Sequence, residues 1–337
     1  MKKTKWGIIG SCGIAKTRTV PGLKEAKNAV CEALMDINEQ NLNIAAKELG
    51  IKKTYTNIDD LLSDKDIDCV YIATPVFCHK EQVLKAAMAG KHILLEKPMG
   101  LTTAENREIK AICEKYGVKL SVGFMMRFHA AHQRIREIVL SGQIGEIISA
   151  YAKFNDWAPT DKLGWRGKKA LSAGGTMMDM GIHCIDLLQY ITNLKAFSAC
   201  GECTNQLFGK ADIDEASTAI MRMENGALFT VEANFNIPDS IGGCKFEIYG
   251  TKGRICAEGT IAQEEKGSVK ITRVTDDKIV EEDMHYIPGN MYTKEIESFS
   301  DAILSNAEIF VKPDEAIFNQ VIVEAIYESS GRKAVEV

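Results

Sequence analysis

The chain has 337 residues, which is enough for two domains of ordinary size. Its 45% hydrophobic and 26% charged residues are typical of a soluble globular protein, and no apolar run reaches the roughly 20 residues of a membrane span. The net charge of -5 gives no basic footprint, so we expect no nucleic-acid partner and no membrane association.

The ten cysteines are scattered, and most lie in apolar stretches, where a free thiol behaves as a small hydrophobic group. Cys200 and Cys203 form a single C-x-x-C pair, with no second pair to complete a zinc site. The N-terminal residues lead directly into a strand pattern and not into a secretory signal core. We therefore expect reduced thiols, no bound metal and a cytoplasmic location.

The first predicted strand, residues 6–10, runs directly into a glycine-rich turn. Gly10 and Gly13 approximate the G-x-G-x-x-G/A pattern that binds a dinucleotide pyrophosphate, but Cys12 occupies the place of the middle glycine. This departure leaves open how closely the backbone approaches a pyrophosphate, and a plain strand-to-helix turn is the alternative. The residues predicted to contact the cofactor here are Gly10, Cys12, Gly13 and Ile14.

The second predicted strand, residues 29–35, ends at Asp36. Asp36 follows the glycine pattern at about 20 positions, the separation expected for the acid that binds the adenosine ribose. A carboxylate there repels a 2′-phosphate, so the sequence favours NAD as cofactor and leaves NADP as the second choice. The alternative is that Asp36 only caps the helix predicted to run through Leu49.

Short strands and helices continue to alternate over the first 124 residues. Further strands are predicted over 69–73, 92–95 and 119–122, with helices between them. This alternation predicts an α/β fold, a doubly wound parallel sheet of Rossmann type over residues 1–124. Ligands of such sheets bind beyond the carboxyl ends of the strands. The candidate cofactor contacts there are Thr74, Pro75, His79, Glu96 and Lys97.

Lys97 follows a predicted strand and is held between Glu96 and Pro98. A lysine at this strand end would project toward the nicotinamide, bind a substrate hydroxyl and stabilise the alkoxide that forms as its proton leaves. The alternative is a surface lysine paired with Glu96. The strand-end position and the adjacent proline favour the catalytic interpretation.

A second candidate cluster begins a predicted helix in the middle of the chain. Asp179 and His183 are four residues apart and therefore lie on one helix face, where a carboxylate can orient an imidazole that moves a proton. The alternatives are that Asp179 caps its own helix together with Thr176, and that His183 is a buried core histidine. Gly174 and Gly175 predict that another group approaches the backbone closely.

The remaining chain, residues 125–337, is predicted to form an α+β domain with a large, mainly antiparallel open sheet. The open face of this sheet is expected to form the subunit interface of a homodimer or homotetramer. Arg127 is either a substrate or cofactor contact or a solvated arginine at a helix start. Two late helices are expected to pack back, one of them on the N-terminal domain, with Tyr292 bordering the site. The predicted strands lie over 147–154, near 199, and over 217–223, 228–235, 245–249, 254–257 and 269–273, and the late helices over 291–304 and 313–327.

These residues together resemble the Gfo/Idh/MocA family (glucose–fructose oxidoreductase and inositol dehydrogenase), over nearly the whole chain. The resemblance rests on three segments, 7–15, 89–98 and 174–186. By position, Lys97, Asp179 and His183 match the catalytic trio of the family, and they are also expected to bind substrate. Gly164-Trp165-Arg166 resembles a segment that lines the active site in some members, which implies that Trp165 contacts substrate and Arg166 cofactor.

The resemblance implies an NAD(P)-dependent dehydrogenase that transfers a hydride between a secondary alcohol of a sugar, polyol or related cyclic carbinol and nicotinamide. His183 would take the hydroxyl proton, Asp179 would orient the imidazole, and Lys97 would stabilise the alkoxide. One alternative is a redox-neutral elimination or glycosidase reaction with tightly bound NAD. The other is a non-catalytic nucleotide sensor, against which the intact trio argues. The substrate and the physiological direction stay open.

Overall fold

The computed structural model of the chain describes residues 2–159, 162–209, 212–276 and 278–332. These residues form two compact units. The N-terminal unit comprises the described part of Met1–Met125 together with Asn290–Ile317, and the C-terminal unit comprises Met126–Gly289 and the described part of Phe318–Val337. None of the helices in the described ranges combines the length and the apolar character that crossing a membrane would require.

The N-terminal unit is built on a six-stranded sheet in which every described pairing is parallel. The spatial order is β3-β2-β1-β4-β5-β6, so the strand order reverses between β1 and β4, where ligands of such sheets bind. The predicted doubly wound parallel sheet is confirmed. Its strands are β1 (Thr4–Ile9), β2 (Ala29–Met35), β3 (Lys53–Tyr55), β4 (Cys69–Ile72), β5 (His92–Leu95) and β6 (Leu120–Val122).

A helix occupies each connection between successive strands of this sheet. The first connection begins with a π-helical turn, Ala15–Thr19, directly after the glycine-rich turn. Such turns are rare and occur frequently at functional sites. The helices are α1 (Val20–Glu25), α2 (Glu39–Leu49), α3 (Ile58–Ser63), α4 (His79–Met88) and α5 (Thr103–Tyr116).

The C-terminal unit contains an eight-stranded sheet in the order β14-β13-β12-β11-β7-β10-β9-β8. Among the described pairings, only β7 with β10 is parallel, which confirms the predicted, mainly antiparallel open sheet. Its strands are β7 (Ile147–Asn155), β8 (Ala196–Thr204), β9 (Ala216–Met223), β10 (Leu228–Asn234), β11 (Lys245–Gly250), β12 (Gly253–Glu258), β13 (Ser268–Thr275) and β14 (Lys278–Asp283).

Helices cover one face of the larger sheet. Buried and exposed side chains alternate along β9, so the other face of the sheet is exposed. A second π-helical turn, Met177–Gly181, begins the helix that carries the candidate Asp179 and His183. The helices after α5 are α6 (Ala130–Leu140), α7 (Lys169–Ser172), α8 (Ile182–Thr192), α9 (Asp239–Gly242), α10 (Met291–Leu304) and α11 (Pro313–Ser329).

Helix α10 belongs to the core of the N-terminal unit, although it follows the larger sheet in the chain. The Trp6 ring of β1 lies edge-on to Phe299 of α10, with ring centroids 5.6 Å apart. The Trp6 indole N–H donates to Ser300 Oγ of α10 at 3.2 Å and to Thr4 Oγ1 at 2.9 Å. The buried indole thus has partners for its polar atom as well as for its apolar surface.

Candidate active site

The glycine-rich turn after β1 needs glycine at Gly10. Its φ is +88°, and an added Cβ would lie 2.9 Å from the Ala73 carbonyl oxygen at the end of β4. Gly13 also has a positive φ, +53°, but the space beside it is open. Cys12 between them is half-buried, and burial together with the nearby Asp36 carboxylate raises the pKa of its thiol. Cys12 therefore presents a neutral thiol to anything bound at this turn.

The Asp36 carboxylate ties the end of β2 to the glycine-rich turn. Its Oδ2 accepts from the Ser11 backbone N–H at 3.2 Å, and its Oδ1 accepts from the Asn38 N–H at 3.0 Å. The alternative that Asp36 caps α2 is wrong, because Asn38 is the cap and accepts from the Asn41 N–H at 3.0 Å. Asp36 thus lies beside the predicted pyrophosphate turn without a capping role.

His79 joins the loops that follow β4 and β5. Its Nε2 lies 3.0 Å from the Thr74 carbonyl oxygen, and its Nδ1 lies 3.1 Å from the Pro98 carbonyl oxygen and 3.3 Å from that of Met99. The ring is 1% exposed, and burial lowers its pKa. These contacts tie His79 to the residues that follow Lys97. Its contact with the cofactor stays a prediction.

Glu96 and Lys97 lie at the carboxyl end of β5, and both are half-buried. The Glu96 carboxylate accepts from the Tyr71 hydroxyl and from the Lys97 backbone N–H, the latter at 3.2 Å. A further carboxyl, Glu295 of α10, is 3% exposed, and burial with the nearby Glu96 holds its pKa well above the usual range. Sequence reasoning missed both Tyr71 and Glu295, which read as ordinary strand and helix residues.

In the C-terminal unit, Asp179 lies within the π-helical turn and His183 in the first turn of α8. His183 is 4% exposed, and its ring lies 6.4 Å from the Phe154 ring at the end of β7. An added Cβ on Gly181 would lie 2.4 Å from the Met177 sulfur, so the Met177 side chain packs closely against this glycine. The predicted helix is present, and its first part, Met177–Gly181, is a π-helical turn that continues into α8.

The start of this helix is capped from elsewhere in the chain. Thr176 has helical backbone angles and makes no capping bond, so the predicted capping pair of Thr176 with Asp179 is wrong. The cap is Asp214, which lies just before β9. Its carboxylate accepts five hydrogen bonds: from Gly175 N at 2.7 Å, Met177 N at 2.8 Å, Thr176 Oγ1 at 2.8 Å, Ser217 Oγ at 2.7 Å and the Tyr327 hydroxyl at 2.8 Å.

The two glycines before the helix make room for this cap. An added Cβ on Gly175 would lie 2.0 Å from the Asp214 carbonyl oxygen, and one on Gly174 would lie 2.2 Å from the Tyr327 hydroxyl. The close approach predicted from the glycine pair is thus made by the protein itself. In the sequence, the two adjacent glycines indicate that some group packs against the start of this helix. They do not indicate which group it is.

Replacing Gly175 with alanine is expected to destabilise the protein by about 3 kcal/mol, because the clashing neighbour is backbone and cannot rotate away. The measurement is the midpoint of urea unfolding. Gly289→Ala is the matched control, since nothing lies within 4 Å of its added Cβ. Equal midpoints for the two variants would contradict the close approach at Gly175.

Arg127 forms a buried ion pair with Asp186, the last acid of the helix motif. The guanidinium donates from Nε to Asp186 Oδ2 at 2.8 Å and from Nη2 to Oδ1 at 2.6 Å. Asn319 donates to the same carboxylate at 2.7 Å. Arg127 is 4% exposed, so the alternative of a solvated arginine is wrong. Contact with substrate or cofactor stays a prediction for this residue.

Trp165 and Arg166 lie in a short helical turn, Gly164–Gly167, of the C-terminal unit. The Arg166 guanidinium carbon lies 4.6 Å from the centre of the Trp165 ring, within the range of a cation–π contact. Trp165 is half-buried and Arg166 is exposed. Their assignment to substrate and cofactor stays a prediction.

A parallel sheet with a glycine-rich turn after its first strand and an acid after its second is an architecture that binds dinucleotides. Comparison with family models specifies the class. The model of an oxidoreductase family with an NAD-binding Rossmann fold matches residues 4–124, and the GFO/IDH/MocA C-terminal domain matches residues 132–256. The chain belongs to the GFO/IDH/MocA oxidoreductase family, and it is an NAD(P)-dependent dehydrogenase or reductase.

Known relatives cover almost the whole chain at modest identity. The chain is 26% identical to 1,5-anhydro-D-fructose reductase of Ensifer adhaerens over 94% of its length and 92% of that protein. It is 27% identical to D-xylose 1-dehydrogenase (NADP(+)) 2 of Haloferax volcanii, over 96% and 97% of the two chains. The fold matches that of levoglucosan dehydrogenase in complex with NADH and levoglucosan, with a TM-score of 0.89 at 23% identity over 99% and 98% of the chains.

Proposed function

We propose that the protein interconverts a secondary alcohol and a ketone on a sugar, a polyol or a related cyclic carbinol. The observation that supports this best is the capped helix start, which carries a carboxylate and a histidine together on one short segment. The names of the relatives, which act on an anhydrosugar and an aldose, support the substrate class. The N-terminal unit would hold the cofactor and the C-terminal unit the substrate.

The residues of the N-terminal unit fit a dinucleotide. The open space at Gly13 leaves room for a pyrophosphate, and the half-buried Asp36 carboxylate offers an acceptor for ribose hydroxyls. When bound, the nicotinamide accepts or returns the hydride. His183 then removes the hydroxyl proton of the substrate, Asp179 orients the imidazole, and the Lys97 ammonium stabilises the negative charge that develops on the oxygen.

The test is a screen of sugars, inositols and anhydrosugars for NADH or NADPH formation, with Asp179→Asn as the inactive control. We expect reduced cofactor to accumulate in step with substrate consumption for at least one cyclic polyol. Consumption of substrate without reduced cofactor would identify the redox-neutral reaction instead. Tight NAD binding with no turnover of any substrate in either direction would favour the sensor.

The cofactor preference depends on Asp36. Asp36→Asn is expected to lower the NAD over NADP ratio of kcat/KM by about tenfold or more, because the amide keeps an acceptor but removes the charge that repels a 2′-phosphate. The measurement is steady-state kinetics with both cofactors. Asp60→Asn, an exposed acid on α3, removes the same charge elsewhere and should leave the ratio unchanged. An unchanged ratio in the Asp36 variant would contradict the assignment.

We also propose that the exposed face of the larger sheet forms a homodimer or homotetramer. Large apolar side chains are exposed on strands of that sheet, among them Ile148, Phe197, Ile220 and Leu228. Exposed apolar patches of this kind mark interaction surfaces. Light scattering after gel filtration is expected to give two or four chains, and Phe197→Asp with Ile220→Asp is expected to give one.

A further inference from the structure

The Asp214 carboxylate is placed so that it holds three consecutive residues at the start of the candidate catalytic helix. Oδ1 accepts from Gly175 N and Oδ2 from Met177 N and from Thr176 Oγ1, and the Asp214 carbonyl oxygen accepts from Thr176 N at 3.1 Å. The first N–H groups of a helix have no partner within it. Here an acid that is distant in sequence supplies the acceptors, and a negative charge at this end of a helix is favourable.

Two hydroxyl groups fix the direction of that carboxylate. Ser217 on β9 donates to Oδ2, and Tyr327 on α11 donates to Oδ1. The Tyr327 oxygen also accepts from Gly175 N and Met178 N, both at 3.2 Å. Asp214 is 8% exposed and Ser217 is 2% exposed. Because buried polar groups that lose their partners are costly, this network keeps one geometry.

We propose that Asp214 and Tyr327 are positioning residues for the Asp179–His183 pair, an inference that rests on the proposed function. The Met177 N–H is the last one that donates to the Asp214 carboxylate, and Asp179 follows Met177 by only two residues, less than one helical turn. A shift of the helix start therefore moves Asp179 directly. In the proposed function Asp179 orients His183, whose ring must be aimed at the substrate hydroxyl.

The test uses Tyr327→Phe, which keeps the ring and removes the hydroxyl, together with Asp214→Asn. Ile271→Val, a buried change on β13 away from the network, is the control for lost stability alone. We expect Tyr327→Phe to lower kcat by about 10- to 100-fold with an unchanged KM for the cofactor. We also expect the acid limb of its pH–rate profile to move to lower pH, because a misaligned carboxylate supports the imidazolium less.

A second readout does not depend on turnover. The imidazole of His183, assigned by its loss in His183→Asn, is titrated by NMR in the wild type, in Tyr327→Phe and in Ile271→Val. A midpoint that moves to lower pH in Tyr327→Phe alone supports the positioning role, even if no substrate is found and the proposed function fails. An unchanged midpoint and an unchanged kcat in a folded Tyr327→Phe protein would overturn the inference. A folded Asp214→Asn protein should show the same shift of the His183 midpoint. If this variant shows no shift, that result also counts against the inference.

Discussion

His183→Asn is expected to lower kcat by about 10²- to 10⁴-fold, the usual contribution of a positioned general base. Asparagine approximates the size and polarity of histidine but cannot take up a proton at neutral pH. The predicted cofactor contacts lie on other elements, so the dissociation constant of the cofactor should not change. Stopped-flow or steady-state kinetics measure the first effect, and quenching of intrinsic fluorescence by NADH measures the second.

The same kinetic measurements on Lys97→Met test the proposed catalytic role of Lys97. The variant removes the charge at the end of β5 and keeps an unbranched side chain of similar length. If Lys97 and His183 serve one proton transfer, the double variant should be little worse than the more damaged single variant, because residues that act as a unit are not additive. A His183→Asn enzyme that keeps most of its kcat would remove the histidine from the mechanism.

The second large expected effect is acid destabilisation by two buried histidines. His129 and His132 are fully buried at the start of α6, with ring centroids 4.5 Å apart. The Ala131 N–H donates to His129 Nδ1 at 3.1 Å, and His132 Nδ1 lies 2.8 Å from the Met126 carbonyl oxygen. Burial lowers the pKa of His129 to about 4, and burial together with His129 lowers the pKa of His132 to about 3.

These lowered values fix the direction of the pH dependence. Below pH 6.5 the unfolded chain takes up protons at both histidines that the folded protein does not bind, so the free energy of unfolding falls as the pH falls. By pH 4 each histidine should have removed on the order of 3 kcal/mol. The loss is absent above about pH 7, where both states hold the neutral ring.

The measurement is urea unfolding at pH 7.5 and at pH 5. His132→Phe keeps an aromatic ring beside Phe246, whose ring lies 5.4 Å away, and removes one titrating group. Between the two pH values this variant should lose about 2 kcal/mol less stability than the wild type. His285→Phe is the control, because His285 is exposed and lies outside the core. This variant should lose as much stability between the two pH values as the wild type. Equal losses in wild type and His132→Phe would refute the assignment.

Much of the fold follows from hydrophobic patterning. β2 is apolar except for Glu32, and β5 is apolar after His92; the predicted bounds of both strands match the structure. β3 and β14 were missed, because the first has three residues and the second is exposed along its whole length. Neither contains the apolar alternation that indicates a strand.

The candidate site is less visible in the sequence. Asp179 and His183 could be proposed from their spacing, and Lys97 from its place after a strand. Asp214 and Tyr327 could not, because their relation to the helix exists only in three dimensions. The π-helical turn is also invisible, since apolar positions before and after it still recur at three- and four-residue steps.

The cap on the candidate catalytic helix also constrains the order of folding. Gly175 and the Tyr327 hydroxyl that it contacts are separated by 152 residues. Contacts of such long range close late, because the entropy of the intervening loop must be lost first. In refolding, secondary structure should therefore return before the helix start is fixed, and enzymatic competence should recover only when the last helix docks on the C-terminal unit.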